Sequence, residues 1–69
     1  MEFQLENNEY IELNRLLKLL GLVESGGQAN MFITEGEVQV NGKPEFRKRN
    51  KLRVGDLVSF NGETVKVIP

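Results

Sequence analysis

Apolar residues recur along this chain with two different periods, and the period changes near residue 37. Residues 2–6 alternate, which predicts a short half-buried strand with Phe3 and Leu5 turned inward. Asn7 and Asn8 break the alternation and offer caps to the next element. From Glu9 to Leu20 the apolar positions Tyr10, Leu13, Leu16, Leu17 and Leu20 lie three or four residues apart, the signature of one helical face. Gly21 stands where a left-handed helix end belongs, with Leu22 or Val23 placed to pack back over the last turn. A second helix is predicted from Ser25, where Ser25 and Gln28 fit a capping box. Its apolar residues Ala29, Phe32 and Ile33 are again three or four apart, and Gly36 ends it. Tyr10 and Phe32, on these apolar faces, are assigned to the core.

Beyond Glu37 the period is two. Val38 and Val40 alternate with polar neighbours, and Asn41-Gly42 supplies the positive backbone angles of a tight hairpin. Residues 43–53 then run out as an extended segment with Leu52 and Val54 facing inward, and Gly55-Asp56 turns the chain. Leu57–Phe60 reads as a strand, Asn61-Gly62 as a second hairpin, and residues 64–68 as a last strand pairing back on 57–60. The expected fold class is α+β, with two short helices packed on a small, mainly antiparallel sheet in the order β-α-α-β-β-β-β.

With 69 residues the chain is one domain, 1–69, near the lower size at which packing alone sustains a fold. It has no Cys and no His, so neither a disulfide nor a zinc site is available, and no cofactor or metal is expected. The same absence, with no isolated carboxylate pair, argues against an enzyme or a small-molecule substrate. No apolar run approaches the ~20 residues of a membrane span. The first residues lack the basic start and apolar stretch of a signal peptide, so cytoplasmic residence is the expectation.

The net charge of −1 conceals a strong asymmetry. Residues 1–42 set seven glutamates against Arg15 and Lys18, whereas six of the nine cations fall at Lys43, Arg47, Lys48, Arg49, Lys51 and Arg53, with Glu45 alone opposing them. An acidic protein with one dense cationic segment is suited to meet a polyanion. As a continuous strand, this segment would set Arg47, Arg49, Lys51 and Arg53 on one outward face at ~6.6 Å intervals. Such a row could bridge successive phosphates, and each contact would release counterions. The plain alternative is a strand edge protected from aggregation by its charge.

The ordered residues Ser25, Ala29, Ile33, Gly36, Val38, Val40, Asn41-Gly42 and Gly55-Asp56, after the leucine-rich stretch 13–25, carry a resemblance. Over about residues 9–60 the chain resembles the alpha-L RNA-binding domain, named for the fourth protein of the small ribosomal subunit. It is most similar to the short bacterial proteins consisting of this domain alone. The resemblance implies a non-enzymatic RNA-binding protein that contacts the backbone and shape of structured RNA, rRNA or tRNA. It also implies that the second helix, the strand after it and nearby basic side chains face the RNA. Arg15 keeps a basic family position. Glu12, Gly26, Asn30 and Met31 stand where the family often has Arg or Lys, so the cations of this chain sit in 43–53 instead.

The expected RNA-binding residues are therefore Lys43, Arg47, Lys48, Arg49, Lys51 and Arg53, with Arg15, Lys18, Ser25, Gly26, Gly27, Gln28 and Asn30 as further candidates. The helix start at Ser25 presents free N–H groups and the positive end of a dipole to a phosphate. Its two glycines would let an oxygen approach, or would merely avoid crowding the first helix. Phe46 and Phe60 could stack bases, although aromatic residues in so small a chain more often fill the core. On this reading Glu9 and Glu12 turn away from the RNA. The competing reading is a protein-interaction adaptor with opposed acidic and basic surfaces.

Overall fold

Two glycines end the two helices in the computed structural model, which describes residues 1–69. Helix α1 spans Leu13–Leu19 and α2 spans Gly26–Thr34. Gly21 (φ 72°) and Gly36 (φ 79°) take the left-handed conformation just past them. At the first end the Leu22 amide donates to the Leu17 carbonyl and the Gly21 amide to that of Lys18, each at 3.0 Å. At the second, Glu37 donates to Phe32 at 3.1 Å and Gly36 to Ile33 at 3.0 Å. Both are Schellman closures, which satisfy carbonyls that a bare helix end would leave unpaired.

The helices pack on a sheet whose strands are β1 (Glu2–Gln4), β3 (Val38–Val40), β4 (Lys43–Pro44), β6 (Leu57–Phe60) and β7 (Glu63–Ile68), in the spatial order β1-β7-β6-β3-β4. Its pairings are antiparallel except at β1–β7, where Phe3 lies beside Val67 in a parallel register. Asn41-Gly42 and Asn61-Gly62, all at positive φ, form the two-residue hairpins foreseen for them. A separate two-stranded ladder joins β2 (Ile11–Glu12) to β5 (Lys51–Leu52). The architecture is thus the expected pair of helices on a mainly antiparallel sheet, with one short extra strand ahead of α1.

Fourteen buried apolar residues form a single cluster. Leu13, Leu16 and Leu17 enter it from α1, Ala29 and Ile33 from α2, and Val38, Val58, Val65 and Val67 from the sheet. Leu52 of β5 is fully enclosed as well, as its inward assignment anticipated. Burying each Leu or Val side chain stabilises the fold by about 1.5–3 kcal/mol, and a chain of this size depends on every one.

Four expectations fail, for identifiable reasons. The helix begins at Leu13 and not Glu9, because Ile11 finds its burial by pairing opposite Leu52 in an extended ladder. Tyr10 is consequently 38% exposed and outside the core cluster, while Phe32 packs against that cluster and meets the Phe60 ring in a tilted pair, 5.1 Å between centroids and 51° between planes. Residues 43–53 are not one strand: only Lys43–Pro44 and Lys51–Leu52 are extended pairs, with an irregular loop between them. Val54 lies beyond the ladder and is 55% exposed.

Gly36 and Gly26 should respond oppositely to alanine. A Cβ on Gly36 would meet the Phe46 ring at 3.1 Å on a backbone of φ +79°, whereas one on Gly26 meets nothing within 4 Å. Gly36→Ala should cost about 1–3 kcal/mol and Gly26→Ala should gain about 0.4–1 kcal/mol, as read from urea unfolding midpoints.

Candidate nucleic-acid interface

Helix α1 starts without a side-chain cap, since Glu12 at its N-cap makes no capping hydrogen bond. Its first amides are satisfied from the basic segment. Leu13 N–H donates to the Asn50 carbonyl at 2.9 Å and Asn14 N–H to the Lys48 carbonyl at 3.0 Å. The Asn50 amide donates back to the Arg47 carbonyl at 3.2 Å, which closes a turn with Lys48 and Arg49 at its tip. Carbonyls of this turn thus point at the positive end of α1. The side chains of Arg47, Lys48 and Arg49 are left in solvent.

Four of the six cations of the segment have partners. Arg47 holds Glu45 through Nε to Oε2 at 3.0 Å and Nη2 to Oε1 at 3.2 Å, and its amide donates to the same Oε2 at 3.0 Å. Arg49 Nε donates to Glu12 Oε2 at 2.9 Å. Lys51 Nζ lies 4.9 Å from the centre of the Tyr10 ring and the Arg53 guanidinium 5.8 Å from it, so these two do share one face. Lys43 and Lys48 form no ion pair. The evenly spaced row of four cations is replaced by a three-cation turn, Arg47 to Arg49, and a Lys51–Arg53 pair over Tyr10.

Glu12 therefore does not turn away from the cationic surface: it belongs to it. The Arg47 side chain, and then the Arg47 amide, hold the Glu45 carboxyl below its ordinary value, and the same pairing raises Arg47.

The remaining candidates divide. Arg15 is exposed on α1 and lines one open groove with Tyr10, Glu12 and Arg49. Asn30 accepts from Asn14 Nδ2 at 3.0 Å, so Asn14 ties the basic turn through its amide and α2 through its side chain. Lys18 is exposed in the last turn of α1, at the end of the helix away from the basic turn. At the start of α2, Ser25 Oγ accepts from the Gln28 amide at 3.1 Å, and Gln28 Oε1 accepts from the Glu24 amide at 2.7 Å, one residue ahead of the expected capping box. Gly26 and Gly27 are not spacers against α1, since their added Cβ atoms would touch at most Ser25 Oγ, at 3.9 Å. Gln28 opens onto a groove with Glu24 and Glu37 and no cation.

Glu12, Glu45, Tyr10 and Asn14 were not expected at this site. Among them Glu45 carried a signal in the sequence, as the lone acid within the cationic run, and Glu12 carried one only as an acid at a position where the resembling family often has Arg.

The sequence pattern of the S4 domain family matches residues 3–68. Over 66 residues the chain is 48% identical to YbcJ of Escherichia coli (strain K12), an alignment covering 96% of this chain and 94% of that protein. Over 56 residues it is 45% identical to RlbA of Bacillus subtilis (strain 168), named as a probable ribosome maturation protein, covering 81% of this chain and 79% of RlbA. The solution structure of E. coli YbcJ superposes with a TM-score of 0.75 at 47% identity, covering 99% of this chain and 86% of that one. That structure is described as revealing an ALFAL motif involved in RNA-binding.

The Glu45–Arg47 pair has a defined pH signature. The folded-state pKa of Glu45 is depressed, so its small stabilising contribution is present above the ordinary carboxylate range and is lost as pH falls through the lowered value. Carboxyl NMR titration should give Glu45 a midpoint below that of an unpaired glutamate, and Arg47→Gln, which keeps the amide donor and removes the guanidinium, should move it up toward the ordinary range. An unchanged midpoint in that variant would remove the pair from solution.

Proposed function

The chain belongs to the S4 domain family, and we propose that it works without catalysis, binding structured RNA through backbone and shape. rRNA or tRNA is the RNA class, and the cytoplasm is the place. The observation that carries this is the basic turn, whose carbonyls are engaged by α1 while Arg47, Lys48 and Arg49 face solvent. A turn held in that way presents its cations from a fixed backbone, so little loop freedom remains to be lost when phosphates arrive. Duplex RNA displays phosphates and 2′-hydroxyls more than readable base edges, which suits a compact cationic tip. Lys43 extends this surface along β4, Lys51 in β5 and Arg53 just beyond it extend it over Tyr10, and Arg15 lies at its flank. The start of α2, from Ser25 to Gln28, is at most a marginal contact, because the neighbouring groove holds Glu24 and Glu37. Lys18 is likewise peripheral. The name of the B. subtilis relative favours rRNA over tRNA.

The adaptor reading calls for separate acidic and basic faces. It is disfavoured because Glu12 and Glu45 are bonded into the cationic surface itself.

Salt titration of binding to a structured rRNA fragment tests the proposal. With about four phosphates neutralised, log affinity should fall against log salt with a slope of about −3. The double variant Lys48→Glu, Arg49→Gln should lose tenfold or more with its thermal midpoint nearly unchanged. Glu12→Gln, which frees Arg49, should gain affinity severalfold. A slope near zero overturns the electrostatic account.

A further inference from the structure

Phe46 is the most exposed aromatic residue of the chain, at 60%, and it stands inside the cationic segment. It is neither one of the fourteen core residues nor one of the apolar residues packed against them. Its position is nevertheless well defined. Its ring rests on the backbone of Gly36, so closely that a Cβ there would lie 3.1 Å from Cε1 and 3.4 Å from Cζ. The chain is pinned on both sides of it. The Glu45 amide donates to the Val38 carbonyl at 3.0 Å, and the Glu45 carboxylate takes both the amide and the guanidinium of Arg47. An aromatic ring is thus held against solvent by a glycine seat and two anchored neighbours.

We propose that Phe46 is a stacking platform for one unpaired nucleobase of the bound RNA. This rests on the proposed RNA binding and adds a requirement to it: the preferred RNA carries a bulged or looped-out base beside the helical stretch gripped by the basic turn. The chemistry selects that occupant over an apolar protein side chain. Lys43, Arg47 and Lys48 lie within three residues of the ring, and they would hold the phosphates on either side of a splayed base. An apolar peptide would have to bring carboxylates to satisfy the same cations. Every base has a π-face, so the platform selects for an unpaired nucleotide and not for a particular sequence.

Two RNA hairpins of equal length test this, one with a fully paired stem and one with a single-nucleotide bulge, each titrated against the full chain. Wild type should prefer the bulged hairpin. Phe46→Ala and Phe46→Leu should weaken binding of the bulged hairpin about five- to a hundredfold and change paired-stem affinity less than twofold. The leucine variant keeps apolar cover over Gly36, so a loss shared by both variants comes from the missing π-face and not from a disturbed fold. The chain has no Trp, so the indole emission of Phe46→Trp, excited apart from Tyr10, reports on this position alone, and the bulged hairpin should quench it. If both hairpins bind with the expected salt slope while Phe46→Ala is neutral and Phe46→Trp is not quenched, the platform is overturned and the RNA reading stands. If neither RNA binds, both fall. Concentration-dependent self-association abolished by Phe46→Ala, with RNA affinity unchanged, would assign the ring to a second copy of the chain and also overturn the proposal.

Discussion

Everything near the cationic surface depends on how the first turn of α1 is capped. A helix of seven residues is too short to persist alone and leaves its first N–H groups unpaired. Here those groups are satisfied by the carbonyls of Lys48 and Asn50, more than thirty residues away along the chain. α1 therefore gains its cap only when the basic segment has folded back over it, and the basic segment gains its shape only when α1 is there to receive it. One pair of backbone hydrogen bonds makes the fold and the candidate site interdependent. The adjacent β2–β5 ladder, with Ile11 opposite Leu52, reinforces the junction by putting buried side chains beneath it.

The same junction shapes the electrostatics. The positive end of a helix, three cations on a turn and two more over Tyr10 would repel one another if nothing intervened. Glu12 and Glu45 intervene at 2.9 and 3.0 Å from Arg49 and Arg47. Exposed pairs of this kind add little stability, with a median of about 0–1 kcal/mol. Their larger effect is on orientation and competition, because a carboxylate fixes the guanidinium plane of its arginine and occupies donors that a phosphate must then take over. Charge counted along the sequence thus overstates the free positive charge of the surface and understates its order.

The legible parts of the fold were those written in local chemistry. Gly21 and Gly36 as helix ends, both Asn-Gly hairpins and the buried positions of the strands depend on residues within a few places of one another. The illegible parts depend on residues far apart. The parallel seat of β1 beside β7 leaves no local trace. Tyr10 fits the helical spacing of Leu13, Leu16, Leu17 and Leu20, and only the distant pairing of Ile11 with Leu52 decides that Tyr10 to Glu12 stay outside the helix. The site followed the same division. The cations were visible as a cluster, but their arrangement on a turn required Lys48 and Asn50 to meet α1. The role of Glu12 required a partner thirty-seven positions away.

Gly36 shows how closely the two levels are joined. Its positive φ ends α2, a local requirement that any small domain meets somewhere. Its missing side chain also gives the Phe46 ring a place to lie, a requirement set by the loop after β4. Asparagine, which the left-handed region also tolerates, would satisfy the first and not the second, since its Cβ would meet the ring. Helix termination alone thus leaves a choice of residue at this position, and the ring removes it.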